Sequence, residues 1–174
     1  DVSTDEISPA GAKALPYRSN IPKLADFTFT RVDETYPARA HDAGPHAVVA
    51  GSNYGQGSSR EHAAITPRYL GLAVVIAQSY ARIHWQNLVN FGVLPLEFTD
   101  PDDLDQVRPG DVLHLADLPA TLPGTRELAV GIGDDTTIQV RHRLSPRQVD
   151  TLIRGGRIAQ LAQRPRHETH GNRT

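Results

Sequence analysis

Three short apolar runs near the middle of the chain predict buried strands. Residues 48–50, 72–77 and 93–98 are rich in valine, leucine and isoleucine and are bounded by turn residues. Continuous runs of this length are typical of strands that are covered on both faces of a sheet. The segment 58–70 is long enough for a helical crossover, so residues 46–77 are predicted to form a β-α-β unit with parallel strands.

Capping residues predict two further helices. Ser79 precedes a segment in which apolar residues recur at near-helical spacing, and Gly92 is expected to end that helix. Ser145 is a second N-cap candidate, with Pro146 at the first helical position, where proline is favoured. The glycine pair at 155–156 is expected to stop this last helix.

Beyond residue 100 the apolar residues alternate with polar ones, which predicts antiparallel strands. The alternation covers residues 112–115, 128–132 and 136–140. Asp134 and Asp135 separate the last two runs and are expected to form a hairpin turn. Parallel strands followed by an antiparallel ribbon predict an α/β fold class, with a mixed sheet and flanking helices.

Prolines dominate the predicted character of the first 46 residues. Pro16, Pro22, Pro37 and Pro45 favour long irregular connections there, and only residues 27–31 are predicted to form a short strand. The sequence contains no internal repeat and no convincing linker, so one domain is expected.

Composition limits the chemistry of this chain. It has 174 residues, 39% of them hydrophobic, a formal net charge of -2 and no cysteine, which predicts one soluble globular domain without disulfides or thiolate chemistry. No apolar run approaches the roughly 18 residues that suggest a membrane span. The polar start is unlike a signal peptide, so a cytoplasmic protein is predicted. Because the sequence opens on Asp1 rather than on methionine, a piece of a longer polypeptide is expected.

Charge is distributed unevenly. Residues 141–174 hold eight arginines and only two acidic residues, so this end is basic while the rest is acidic. A basic segment of this kind can contact phosphate or an acidic partner. The favoured interpretation is a solvated helix followed by a disordered tail. The predicted boundaries are residues 1–163 for the domain and 164–174 for the tail.

The most informative stretch is the glycine-rich loop at residues 51–62, between a predicted strand and a predicted helix. This is where α/β sheets bind ligands. Its glycines let backbone N–H groups approach an anion, Ser58 and Ser59 offer hydroxyls at the expected helix start, and Arg60 can donate two hydrogen bonds to a carboxylate or phosphate. An anionic ligand is therefore predicted.

Familiar phosphate and nucleophile loops do not fit this stretch. A Walker loop requires a lysine that is absent here, and Arg60 stands where the dinucleotide fingerprint has its third glycine. Neither Ser58 nor Ser59 has the flanking glycines of a nucleophile elbow. A turn whose serine merely caps the helix stays open as the structural alternative.

The sequence Gly-Gln-Gly-Ser-Ser-Arg-Glu-His-Ala at residues 55–63 resembles the signature of the mobile C-terminal domain of aconitases. The same signature occurs in outline in the small subunits of isopropylmalate isomerase and homoaconitase. Residues 3–11, 17–21 and 79–96 are similar to further family segments, in the same order. The resemblance implies the swivelling β/β/α domain of the aconitase type.

The resemblance also implies roles for particular residues. Ser58 would be the general base that, as an alkoxide, removes a proton from the carbon alpha to a substrate carboxylate. Arg18 and Arg60 would bind substrate carboxylates, and Ser59 would hydrogen-bond the substrate. The supporting positions implied for the site are Thr4, Asp5 and Ser8. Glu6 departs from the family pattern, in which many relatives carry histidine.

A 4Fe-4S cluster is the cofactor that the resemblance implies, held by cysteines of other domains or of another chain. This chain has no cysteine, so alone it is expected to bind no cluster and to be inactive. The implied partners are the cluster-bearing aconitase domains and a tricarboxylate substrate. His41, His46 and His84 lack a suitably spaced further ligand, so no metal site is predicted in this chain.

The implied activity is that of an aconitate hydratase, which isomerises citrate and isocitrate through cis-aconitate. One alternative is the small subunit of an isopropylmalate isomerase or a homoaconitase. An alternative of another class is an RNA-binding module without a cluster, for which the basic segment would supply charge.

Overall fold

A mixed six-stranded sheet, in the order β1-β2-β3-β6-β5-β4, organises the chain. The computed structural model describes residues 1–9, 11 and 14–156. The strands are β1 (His46–Ala50), β2 (Leu72–Ala77), β3 (Leu94–Phe98), β4 (Leu113–Leu115), β5 (Glu127–Ile132) and β6 (Thr136–Arg141). The first three are parallel, and the other neighbouring pairs are antiparallel. The predicted α/β class with a mixed sheet is confirmed.

Helices flank this sheet and connect its strands. They are α1 (Thr4–Ile7), α2 (Ile21–Ala25), α3 (Tyr36–Ala43), α4 (His62–Tyr69), α5 (Arg82–Asn90), α6 (Leu118–Thr121) and α7 (Pro146–Ile153). Two short 3₁₀ segments lie at Leu15–Tyr17 and Pro101–Gln106. The predicted β-α-β unit is confirmed, since α4 connects β1 to the parallel strand β2.

Strand β2 is buried on both faces, which explains its continuous apolar sequence. Val74 and Ile76 belong to one core, shared with the antiparallel ribbon and α7. Val75 and Ala77 belong to a second core, shared with α4. Because side chains alternate across a strand, successive residues from Val74 to Ala77 face one core or the other, and none of them faces solvent. The pattern therefore predicted the element with its observed bounds.

The antiparallel ribbon and the last helix also follow the sequence pattern. Strands β5 and β6 form a hairpin in which Val130 pairs with Ile138, and the two aspartates lie in its turn. Helix α7 begins with a capping box. The Ser145 side chain accepts a hydrogen bond from the Gln148 N–H, and the Gln148 side chain accepts one from the Ser145 N–H. Both predictions are confirmed.

The strand predicted at residues 27–31 is wrong, because this segment is a series of turns. Phe29 has a φ of 56°, in the left-handed region, and its N–H donates to the Ile7 carbonyl at 2.9 Å. Its ring is buried and meets Tyr36 edge-on, with the ring centroids 4.8 Å apart. The apolar residues in this segment therefore reflect a buried aromatic ring within a turn, not alternation along a strand.

The expectation of long irregular connections before residue 46 is also corrected. Pro22 and Pro37 lie in the first turns of α2 and α3. At such positions a proline removes no intrahelical hydrogen bond, so it starts a helix instead of preventing one. Ser79 does not cap α5, because its Oγ accepts from the Asn53 N–H at 2.8 Å and Ala81 is the residue before the helix.

Ion pairs use several arginines of the basic C-terminal segment. Arg141 and Arg143 lie 3.4 and 2.8 Å from the buried carboxylate of Glu97, and Arg154 pairs with Asp150. The predicted boundary between domain and tail lies outside the described residues. In the part of the chain that is described, no helix has the length and apolar character needed to cross a membrane.

Two buried tyrosines predict opposite effects of removing a hydroxyl group. We expect Tyr54→Phe to keep or raise the free energy of unfolding, by up to about 1 kcal/mol, because its hydroxyl is buried and has no hydrogen-bond partner among the described residues. Tyr80→Phe should lower it by about 1 kcal/mol, since that hydroxyl lies 2.8 Å from the Val75 carbonyl and 2.7 Å from the Leu96 carbonyl. Urea denaturation followed by circular dichroism compares the two. A larger loss in Tyr54→Phe than in Tyr80→Phe would contradict this assignment.

Candidate active site

The glycine-rich loop leaves the carboxyl end of β1 and is held by two other segments of the chain. On one side, the Gly55 N–H donates to the Val2 carbonyl at 2.7 Å and the Thr4 N–H donates to the Gln56 carbonyl at 2.8 Å. On the other side, Tyr54 exchanges backbone hydrogen bonds with the segment that follows β2. Because β1 and β2 are parallel, their carboxyl ends lie at the same edge of the sheet. The predicted position of the loop at this edge is confirmed.

Gly55 allows the loop to lie directly against α5. It has a φ of 77°, and a Cβ atom built there would come within 2.1 Å of the His84 ring. The Tyr54 ring meets the same imidazole edge-on, at a centroid distance of 5.3 Å. Any side chain at residue 55 would therefore displace either the loop or His84.

Ser58 and Ser59 are exposed, and they do not begin α4 as predicted. Helix α4 begins at His62, after an N-cap residue, Glu61, that makes no capping side-chain hydrogen bond. In a helix starting at residue 58 that residue's carbonyl would accept from the N–H four residues later, but here the Ser58 carbonyl accepts from Thr4 Oγ1 at 2.9 Å. The alternative in which one of these serines caps the helix is therefore wrong.

Asp5 holds the arginine of the loop. Its two carboxylate oxygens accept from Arg60, at 2.5 Å, and from Arg31. The Arg60 side chain is 25% exposed and that of Asp5 is 40% exposed. Thr4 and Asp5 therefore fix the loop at two points, one on the backbone of Ser58 and one on the guanidinium of Arg60. Arg31 was not predicted as a site residue, since the wrongly predicted strand contained it.

Arg18 lies in a second, smaller recess that Arg60 also lines. Ser8 and His62 are among the other residues that line it, and His62 Nε2 lies 3.1 Å from the Arg18 carbonyl oxygen. Ser8 is buried at the end of α1. All the residues predicted for the site thus lie in one region around the loop. These are Thr4, Asp5, Ser8, Arg18, Ser58, Ser59 and Arg60.

A cavity of about 250 Å³ opens between this loop and α5. Thr4, Ser58, Ser59 and Arg60 line it from the loop side. Helix α5 supplies the opposite wall through Arg82, Ile83, His84 and Asn87. No acidic side chain is among the described residues that line the cavity, so an anion there would meet Arg82 and Arg60, the latter paired with Asp5.

His84 is a buried imidazole between the glycine-rich loop and the body of α5. It is only 2% exposed, and neither ring nitrogen has a hydrogen-bond partner in the described ranges. Burial lowers its pKa to about 4, so the ring is neutral at pH 7. His46 bonds Tyr36 and the Gly44 carbonyl. Over the described residues, no group of three or more His, Asp or Glu side chains is arranged to hold a metal ion.

Similarity to known proteins agrees with this geometry. A crystal structure of 3-isopropylmalate dehydratase from Methanocaldococcus jannaschii superimposes with a TM-score of 0.75 at 30% sequence identity, covering 93% of this chain and 87% of that chain. The chain belongs to the aconitase and isopropylmalate dehydratase family. The family described as the aconitase C-terminal domain matches residues 19–101, which include the glycine-rich loop and α5. The predicted aconitase-type domain is confirmed.

Two curated relatives of this family member are enzymes of much greater length. It is 37% identical to the mitochondrial aconitate hydratase of Aspergillus fumigatus over 187 residues, covering 93% of this chain and 24% of that protein. It is 38% identical to the mitochondrial homocitrate dehydratase of Saccharomyces cerevisiae over 135 residues, covering 73% of this chain and 17% of that protein. The chain thus spans about a quarter or less of these relatives. Both relatives are named as mitochondrial proteins. A cytoplasmic location of this chain therefore stays a prediction.

The buried imidazole of His84 predicts a pH dependence of stability. Because burial lowers the pKa of His84 from 6.5 to about 4, the folded state binds this proton more weakly than the unfolded state. Stability is therefore lost as the pH falls from 6.5 towards 4. Between pH 7 and pH 5 the loss from this group should be about 2 kcal/mol.

Urea denaturation of the unsubstituted chain and of His84→Gln at pH 7 and pH 5 measures this contribution, because the variant should lose correspondingly less stability on acidification. His114→Gln is the control at an exposed histidine. Direct NMR titration of the His84 ring does not depend on the variant folding. A ring that gains its proton near pH 6.5 would contradict the assignment.

Proposed function

We propose that this chain is the swivelling domain of an aconitate hydratase, which interconverts citrate and isocitrate by reversible dehydration through cis-aconitate. The observation that carries the proposal is the cavity in which Ser58 and Arg60 lie together opposite α5, without an acidic lining residue among those described. The similarity to aconitate hydratases over most of the chain supports the same reaction.

Ser58 is proposed as the base. Its hydroxyl makes no hydrogen bond to a described residue, while its carbonyl is held by Thr4. Dehydration breaks a C–H bond alpha to a carboxylate and a C–O bond on the adjacent carbon, so that an alkene forms, the proton passes to the base and hydroxide leaves. Ser58 would take the proton as its alkoxide and return it during hydration. A serine hydroxyl is almost wholly protonated at pH 7, so the positive charge of Arg60 would have to stabilise the alkoxide.

Substrate carboxylates would be bound by the two predicted arginines. Arg60 lines both the cavity and the recess that contains Arg18, so it is common to the two spaces in which the carboxylates would be bound. Planar guanidinium groups bind carboxylates through two parallel hydrogen bonds. Ser59, which lines the same cavity, would donate a further hydrogen bond to the substrate.

An iron–sulfur cluster does not fit the residues of this chain. The sequence has no cysteine, and the described residues contain no group of three or more potential ligands. We therefore assign the cluster to a separate part of the enzyme, on the same polypeptide or on another chain. The proposal gives this chain the proton and carboxylate chemistry, and it expects no activity without the cluster-bearing part.

A second candidate function is the dehydration of isopropylmalate or homocitrate. The 3-isopropylmalate dehydratase matches nearly the whole chain at 30% identity, and the homocitrate dehydratase is 38% identical over a shorter stretch. Citrate, isopropylmalate and homocitrate each carry a carboxylate beside the carbon that loses a proton, so the glycine-rich loop suits each of them. RNA binding gains no support, since Arg141, Arg143 and Arg154 already pair with acidic side chains.

The test of the proposed function is a hydratase assay with citrate, isopropylmalate and homocitrate as separate substrates. The chain is measured alone and together with the cluster-bearing part after reconstitution with iron and sulfide. Activity on citrate in the combined sample only is the expected result. Activity on another of the three acids would select the second candidate. A folded, fully reconstituted sample that acts on none of them would contradict both.

Ser58→Ala should lower kcat by roughly two to four orders of magnitude, the contribution typical of a general base. KM should change less than about threefold, because the variant retains both arginines that bind the substrate. Ser52→Ala is the matched control, since Ser52 lies in the same loop and its hydroxyl donates to Gln78 instead of lining the cavity. A rise in KM without a fall in kcat would contradict the assignment of Ser58 as the base.

A further inference from the structure

Helix α5 contains polar groups that the proposed reaction does not yet use. His84 and Asn87 are 98% and 92% buried, and both line the cavity. The two ring nitrogens of His84 and the amide nitrogen of Asn87 have no hydrogen-bond partner among the described residues. Buried polar groups are normally paired, because an unpaired donor costs free energy. Because these unpaired groups belong to residues that line the cavity, a ligand that enters it is a candidate partner for them.

The chemistry of this wall indicates which ligand group it suits. The Asn87 amide nitrogen is a donor only, and a neutral imidazole has one donor and one acceptor. Arg82, in the first turn of α5, is exposed, lines the same cavity and forms no ion pair with a described residue. Donors and a cation without a nearby carboxylate favour an oxygen-rich anion. A carboxylate group meets these requirements, whereas a cation does not.

We propose that α5 forms the second half of the substrate site, where Arg82 and the Asn87 amide bind a carboxylate of the substrate that faces away from Arg60. His84 is a positioning residue in this arrangement. Its ring packs against Gly55, so it would hold the loop that carries Ser58 against α5. The inference rests on the proposed function, because it concerns the same substrate and the same cavity.

The arrangement gives a geometric reason for the composition of the cavity. Arg60 lies on the loop wall and Arg82 on the helix wall, with Ser58 also on the loop wall. A substrate that carries carboxylates on neighbouring carbons can therefore contact one arginine on each wall. Its reacting C–H group would then lie between them, close to Ser58. Arg18 and Arg60 would bind the substrate from the loop side, and a contact on the α5 wall would also fix its other end.

The test is NMR titration of the full ¹⁵N-labelled chain with propane-1,2,3-tricarboxylate, at constant ionic strength. The variants are Arg82→Gln and Asn87→Asp. Arg82 is exposed, so its substitution does not threaten folding, and Asn87→Asp keeps the shape of the side chain while it places a negative charge on the wall. Asn90→Asp is the matched control on the same helix, because Asn90 does not line the cavity and its side-chain oxygen still accepts from Gln86. Arg68→Gln is the control for loss of an exposed arginine.

The expected result is a shift of the Asn87 side-chain amide signals together with the amide signals of residues 58–60. Arg82→Gln and Asn87→Asp should each raise Kd by about tenfold, as expected for the loss of one charged hydrogen bond. Both controls should stay within about twofold of the unsubstituted chain.

Two other results would overturn the inference in distinguishable ways. Signals of residues 58–60 that shift while Asn87 does not, with unchanged Kd in both α5 variants, would leave the proposed function intact and remove α5 from the site. The absence of any shift up to high ligand concentration would remove both the α5 site and the carboxylate-binding role proposed for the loop.

Discussion

The hydrogen bond from Thr4 Oγ1 to the Ser58 carbonyl is the contact on which the architecture of the site depends. It joins residues that are 54 positions apart in the chain, and it is accompanied by the backbone bond from Thr4 to Gln56 and the ion pair from Asp5 to Arg60. Together these contacts prevent residues 58–60 from joining α4. A loop that carries the proposed base at a cavity mouth needs such support, because exposed backbone without partners would sample many conformations.

The sheet supplies the second constraint. Strands β1 and β2 end side by side, so the glycine-rich loop and the segment before α5 leave the same edge of the sheet. The two segments form backbone hydrogen bonds with each other through Tyr54. The antiparallel ribbon lies beyond β3, where it adds apolar area to one core. The parallel half of the sheet therefore positions the site, whereas the antiparallel half stabilises it from a distance.

The sequence predicted those parts of the molecule whose signal is local. The continuous apolar run of β2 and the capping residue Ser145 each determine an element through their near neighbours. The turn at Phe29 and the packing of Gly55 on His84 depend on residues that are distant in the chain, so no local pattern indicates them. The residues predicted for the site by resemblance lie together. The sequence did not predict Arg31, Arg82 and Asn87 as site residues, because only the fold places them beside the loop. The contact between the buried His84 ring and Gly55 joins residues that are far apart in the sequence, so a local pattern does not indicate it.

The pairing of Arg60 with Asp5 bears on how a substrate could enter. In the absence of ligand, a loop arginine beside a serine would lack a counter-ion, and Asp5 provides one. Because both side chains are partly exposed, the pair contributes at most about 1 kcal/mol, which a substrate carboxylate that forms two hydrogen bonds can exceed. Arg31 also bonds Asp5, so Asp5 would keep a cationic partner when Arg60 turns to the substrate. The ion pair would thus hold Arg60 near the position proposed for substrate binding, without binding it so tightly that the substrate is excluded.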